Sequence, residues 1–260
     1  MITLVDHTAA LGRRAVMGIF RQPTVLLPGL VFPAVIAAVQ SSALSRAINL
    51  PGFEPHVDSF LDFVLAATVT QGVLFGGITG GADLALDIEG GFFDRLLAAP
   101  TSRVAILLGR LAGSAAMGAV QAVAFVLLFL AFGANVKDLP VTVFFLVVYA
   151  IVLAVAVGAA AAAIGLRTGS AEAVQNCFPL VFITLFISSA FFPPSLMNGW
   201  YRFVAEHNPI SLMIDGMRDQ VVGGFDASSL GKALGVALTL TVISMALALA
   251  QLRRRLRVAG

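Results

Sequence analysis

The sequence predicts an all-α membrane protein of six transmembrane helices. An amphipathic interfacial helix precedes them, a short cytoplasmic helix joins spans two and three, and short outer-side helices lie between spans five and six. Three observations predict it. Of 260 residues, 59% are hydrophobic and 12% charged, and the mean hydropathy of +0.97 lies well beyond that of a soluble domain. Several apolar stretches reach the ~20 residues that a helix needs to cross a hydrocarbon core of about 30 Å. The 16 basic residues also divide unevenly between the loops on the two sides of those stretches, 11 against 5. Lysine and arginine accumulate on the cytoplasmic side, so the majority set, from Arg13 and Arg14 through Arg95, Arg110 and Arg167 to Arg257, places both termini in the cytoplasm.

Taken in order, residues 1–23 form an N-terminal segment in which Val5, Ala9, Val16, Ile19 and Phe20 share one side of a helical projection and Arg14 and Arg21 the other. It is either an interfacial helix or a basic tail. It lacks a small-residue cleavage site, and the run that follows reads as a retained span, not a signal peptide. Residues 24–260 read as one membrane domain, with spans near 24–43, 60–84, 104–133, 140–165, 174–194 and 231–251. In the second span Gly72, Gly76 and Gly80 fall on one stripe with Gly77 and Gly81 beside it. Such a pattern lets helix backbones approach closely, either at a sliding or dimer seam or in static packing within one subunit. Gly109 and Gly113 repeat it in the third.

Between spans two and three the chain is unusually charged. Gly90 and Gly91 permit a sharp change of direction, and Phe92, Phe93, Leu96 and Leu97 then occupy an arc of about 140°, with Asp94, Arg95 and Ala98 facing away. Pro100 closes the segment. A two-turn helix with paired aromatics ringed by charge suits docking to a soluble partner, and also suits an ordinary interfacial helix. Between spans five and six, Leu196, Trp200, Phe203 and Val204, and then Ile210, Met213, Met217 and Val221, recur at helical spacing. Asn208 and Pro209 fit the cap and first turn of the second of these helices, and Gly223 with Gly224 fits its stop. An exterior loop is the plainer alternative.

Two motifs carry a family resemblance. "DIEGGFFDRLLAAPTSRVAILLGRLAG" resembles the cytoplasmic signature of type 2 ABC transporter permeases: an acidic residue, a short helix ending in Arg-Leu-Leu-x-x-Pro, a basic residue, then Leu-x-Gly-[Lys/Arg]. "HNPISLMIDGMRDQVVGG" is similar to the family's Asn-Pro motif with its downstream arginine. With the six-span layout and the basic start, these cover nearly the whole chain, and the branch most resembled exports drugs such as daunorubicin. The resemblance implies a coupling helix that rests in a groove of a cytoplasmic ATPase. By motif position Glu89, Asp94, Arg95, Leu96 and Pro100 would serve it, with Phe92 and Phe93 as aromatic contacts. Asn208, Pro209 and Arg218 match the outer-side motif. The resemblance also implies a permease subunit that is not itself an enzyme and that exports a hydrophobic or amphipathic drug, lipid or glycan. It would pair with a second copy or a paralogue in the inner membrane of a bacterium. ATP and Mg would be bound by the partner ATPase and no cofactor by this chain. Gly90-Gly91, where many relatives carry bulkier residues, is a departure.

Other chemistries find no support. A phosphate-binding Gly-x4-Gly-Lys-[Ser/Thr] loop is absent, since "GGFDASSLGKA" has the wrong spacing and Ala233 after the lysine. His7, His56 and His207 lie outside the spans and the lone Cys177 inside one, so no catalytic or metal constellation emerges. A net charge of +2 without an arginine-aromatic run gives no reason to expect nucleic acid. All 14 acids sit in loops or near span ends, Asp62 and Asp83 being the nearest to hydrocarbon. That pattern disfavours an ion-coupled carrier, the alternative kept beside a non-transporting structural subunit.

Overall fold

The computed structural model describes residues 12–18, 23–98 and 103–258, and within them the chain is helical with no strand. Residues 12–18 form α1. Then come α2 (Pro23–Ala43), α3 (Phe60–Glu89), α4 (Phe92–Ala98), α5 (Arg103–Ala131), α6 (Leu139–Thr168), α7 (Ala171–Gln175), α8 (Phe178–Phe186), α9 (Gly199–His207), α10 (Pro209–Gly223) and α11 (Ala227–Val258). Val5, Ala9, Ile19, Phe20, Arg21 and Pro100 lie outside the described residues, as do the side chains of Asp94 and Leu97.

Among the described residues, four helices are long and apolar enough to cross a membrane: Phe60–Glu89, Val104–Ala131, Leu139–Thr168 and Ala227–Arg257. Two shorter apolar stretches, Gly29–Ala43 and Ala171–Phe186, stand beside them. The helix α3 is central, with 89% of its apolar window buried by neighbours, and α11 is peripheral with 17%. Helix α6 packs against α3, α5 and α11.

Small residues set these crossings. A Cβ on Gly81 would collide with Ala161 of α6, and one on Gly77 would sit 2.5 Å from Val157. On the adjoining stripe, Gly76 lies under Gln121 of α5, whose amide nitrogen donates to the Gly72 carbonyl at 3.0 Å and the Gly29 carbonyl at 3.3 Å. One glutamine thereby joins α2, α3 and α5 where only backbone fits beneath it. Gly72, Gly76, Gly77 and Gly81 are therefore occupied by packing within the chain.

Helix ends follow local capping chemistry. Ser59 and Asp62 form a reciprocal capping box on α3, and Asp62 also accepts the Asn135 N–H at 2.7 Å. Asn208 caps α10. Gly169, at φ 68°, ends α6 in the left-handed conformation that glycine adopts without strain.

The predicted continuous span 174–194 is interrupted. Pro179 stands in the first turn of α8, which leaves α7 a separate five-residue helix, and α8 stops at Phe186 ahead of Pro193 and Pro194. The helix of the predicted third span ends at Ala131, and that of the predicted sixth runs to Val258, several residues beyond its predicted limit, because the arginines continue the helix past the apolar run.

Candidate functional site

The two ends of the bundle differ in chemistry. One end gathers α4, the α6–α7 turn and the arginines of α1 and α11; the other gathers residues 44–59, 132–138 and 187–226. Both predicted motifs fall at these ends, one at each.

At the arginine-rich end, α4 is mounted on the bundle by its apolar side. Phe93 is 1% exposed and shares a core with Leu84 and Ile88 of α3, Ile106 and Leu111 of α5, and Leu252 of α11. This places Phe93 differently from the expected aromatic contact: the apolar arc of α4 faces its own subunit because α3, α5, α6 and α11 leave a hydrophobic cleft there. Phe92 is half-buried, with the Arg14 guanidinium over its ring at 4.6 Å. Leu96 is also half-buried against the same core, and Arg95 is exposed.

Small residues also seat α1 against α5. Gly113 lies beneath Ala15 and Gly12 beneath Ala112, with 3.0–3.1 Å available to an added Cβ, which brings Arg14 to Phe92. Arg110 of α5 forms an ion pair with Asp87 and donates to the Asp83 carbonyl, tying α5 to α3 one turn before α4.

Glu89 has a contact the sequence did not disclose. Its carboxylate accepts the Ala171 N–H at 2.8 Å, at the first residue of α7, where helical amides lack internal partners. The residue just before α4 is therefore bonded to the start of the α7–α8 pair. On the far side of the same turn, Arg255 donates to the Leu166 carbonyl near the end of α6.

At the opposite end, the Asn-Pro motif closes the broken end of α8. Asn208 donates to the carbonyls of Thr184 at 2.8 Å and Ile187 at 3.3 Å, while its own carbonyl oxygen accepts the Ile210 N–H. One side chain thus ends α8 and begins α10, with Pro209 in the first turn of α10. The Tyr201 hydroxyl donates to the Phe186 carbonyl. Arg218 has a side chain only 2% exposed and donates to the carbonyls of Phe63 at 2.9 Å and Ser189 at 2.8 Å, and to Asp215 at 2.5 Å. Its guanidinium lies 3.7 Å from the Phe63 ring centroid. Burial pulls the Arg218 pKa down against the pull of Asp215 and Asp219. Burial raises that of Asp215, against Arg218 and a hydrogen bond from Ser189. A buried backbone that leaves its helix needs such donors, since lipid supplies none.

Helix α10 buries Ile210, Met213, Ile214, Met217 and Val221, whereas α9 keeps Trp200 73% and Phe203 63% exposed. Between them and residues 54–56 lies an open cleft of about 600 Å³ whose wall includes Glu54, His56, Arg202, Asp215 and Arg218. A ladder of rings, Phe32, Phe75, Phe178, Phe182, Phe186 and Phe191, runs along α2, α3 and α8 with successive centroids 4.6–6.3 Å apart. No group of His, Cys, Asp and Glu capable of holding a metal exists among the described residues.

Known proteins share this arrangement of sequence. The chain is 27% identical over 244 residues to the daunorubicin resistance ABC transporter permease protein DrrB1 of Streptomyces coeruleorubidus, covering 93% of this chain and 84% of that one. It is 26% identical over 220 residues to a protein of Porphyra purpurea named as the transport permease ycf38, covering 83% and 74%. The corresponding Pyropia yezoensis protein is 27% identical over 223 residues, again covering 83% and 74%. The family described as ABC-2 type transporter matches residues 6–221, which include α4, the Glu89 contact and the Asn208–Arg218 clasp, and the chain belongs to that family as a multi-pass membrane subunit of an ABC transporter.

Proposed function

We propose that this chain is the permease subunit of an ATP-driven exporter. ATP and Mg are bound and hydrolysed on separate cytoplasmic ATPase subunits, while this chain binds no cofactor. Counting α2 and the α7–α8 pair as crossings gives six spans in a domain of residues 24–260, preceded by a connecting segment of residues 1–23. Both termini and α4 then face the cytoplasm of a bacterium, and α9 and α10 lie at the outer surface. The subunit pairs with a copy of itself or a paralogue. Its cargo is hydrophobic or amphipathic, of the drug, lipid or glycan type, and the phenylalanine ladder supplies an apolar wall for the route.

The observation that carries this reading is the mounting of α4. A solvated turn would need no buried anchor, yet Phe93 is driven into a core shared by four other helices. A push on the outward face of α4, at Arg95, therefore moves the bundle end as a body. Glu89 adds a direct bond to α7, so the same push reaches α8. Asp94 and Pro100 complete the coupling segment, with Phe92 and Leu96 at its edge.

The test is co-purification of the chain with its ATPase, followed by ATP-dependent transport in proteoliposomes. Arg95→Glu should keep the subunit folded and lower ATPase retention at least tenfold. Unchanged retention removes α4 as the docking surface. Transport driven by an ion gradient without any ATPase would establish a secondary carrier instead.

A further inference from the structure

The last two turns of α11 carry a feature that transport does not explain. We propose that Arg253, Arg254 and Arg257 form a binding site for the phosphate of an anionic phospholipid, at the edge of the leaflet facing the arginine-rich end. The inference rests on membrane placement alone and needs no exporter reading.

The argument begins with the exposed stripe of α11. Val242 is 68% exposed, Ile243 52% and Leu247 51%, on the least covered of the four long apolar helices. At ~100° per residue, with Ile243 at zero, Leu247 falls near +40°, the exposed Ala250 near −20°, Arg254 near +20° and Arg257 near −40°. The surface that meets acyl chains thus turns basic without changing direction. Arg253 borders it, and all three arginines are exposed. From Leu247 to Arg254 the rise is about 10 Å, comparable to the step from upper acyl chain to headgroup.

Packing separates these three from their neighbours. Leu252 and Leu256 turn inward to the core, and Arg255 is engaged with the Leu166 carbonyl. Among the described residues, Arg253, Arg254 and Arg257 have no hydrogen bond or ion pair, the ion pairs there being Arg110–Asp87, Arg202–Glu206 and Arg218–Asp215. An apolar stripe continuous with uncommitted guanidinium groups matches a ligand with an acyl tail and an anionic head. An acidic protein surface would match only the second half.

The full-length chain in nanodiscs of phosphatidylcholine, titrated with phosphatidylglycerol or cardiolipin, tests this by native mass spectrometry of retained lipid. The wild type should retain anionic lipid over phosphatidylcholine, with the preference falling as salt rises. Each arginine contributes about fivefold, so the triple change R253Q/R254Q/R257Q should lower the preference on the order of a hundredfold. The triple lysine variant should keep most of it, and R255Q should leave it unchanged. Competition by inorganic phosphate that matches the anionic lipid would point to free phosphate and overturn the lipid assignment. Should the triple glutamine variant not fold, a wild-type preference that is absent or insensitive to salt is sufficient to reject the site. Equal lipid retention by wild type and triple variant rejects it as well. Loss of ATPase co-purification with lipid preference unchanged assigns the arginines to a protein partner, and the proposal falls.

Discussion

Replacing Arg218 with methionine removes the hub of the clasp that holds α8, α3 and α10 together. The loss follows from its contacts. Two carbonyl oxygens, of Phe63 and Ser189, lose a charged donor in a site where the arginine side chain is 2% exposed. Hydrogen bonds to charged groups contribute about 1.5–3 kcal/mol each, and the methionine needs no desolvation, which returns part of the sum. Asp215 adds little, because its side chain is 37% exposed and regains water. The net cost is about 3 kcal/mol, roughly two orders of magnitude in the folded fraction. Arg218→Lys, with a single ammonium that cannot span both carbonyls, should recover less than half. Reversible denaturant unfolding of the purified chain in micelles measures this. The Asp215 carboxyl supplies a second readout. Its pKa is raised, so its contribution to stability is full below the usual carboxylate value of 3.8 and declines as pH rises through the folded value. Removing Arg218 removes an opposing pull, so Asp215 should titrate at higher pH in the methionine variant. A methionine variant as stable as wild type, or a lysine variant equal to it, would refute the clasp.

Phe93→Ala should cost about 3–5 kcal/mol and lower assembled subunit, whereas Arg95→Glu should unfold at the wild-type midpoint; equal midpoints for all three would show that α4 is not anchored. Glu89→Ala should lower transport per ATP hydrolysed about fivefold by removing a bond worth ~1 kcal/mol, and Glu89→Gln, which keeps an acceptor, should retain most of it; identical ratios in proteoliposomes would exclude the α7 link. Gly81→Val should destabilise by about 3 kcal/mol or more because Ala161 occupies the space, while Gly235→Ala, inside α11 with open space around it, should stabilise by about 0.5–1 kcal/mol in the same unfolding assay. Asp226, whose pKa is lowered by hydrogen bonds from Ser229 and Ser228 at the start of α11, should stabilise the chain above pH 3.8 and lose that effect as pH falls through its folded value. The difference from Asp226→Ala should therefore vanish in acid, and a gap that persists there would contradict it.

The parts of this structure that were legible in the sequence depend on neighbours along the chain. Asn208 and Pro209 sit at the cap and first turn of α10 because capping involves residues two or three apart. The α4 helix was readable from its apolar arc and the glycines before it. The direction of that arc was not, since Phe93 turns inward only because α3, α5, α6 and α11 together leave a cleft. The glycine stripes were visible as small surfaces, but their partners, Gln121 and Ala161, are separated from them by about forty residues or more. The break in the predicted span 174–194 has no signal in hydropathy, which averages over Pro179 and the two serines near its end.

By itself the sequence determined that the chain is helical, apolar and multi-pass, and where α4 and the Asn-Pro motif lie. These are matters of composition, period and local spacing. Only the tertiary structure decided what those motifs hold: that Glu89 bonds α7, that Asn208 and Arg218 secure the end of α8, and that Phe93 faces inward. Each of these depends on backbone carbonyls, amides or cavities contributed by remote segments, and such groups leave no mark in side-chain sequence until folding brings them within hydrogen-bond reach.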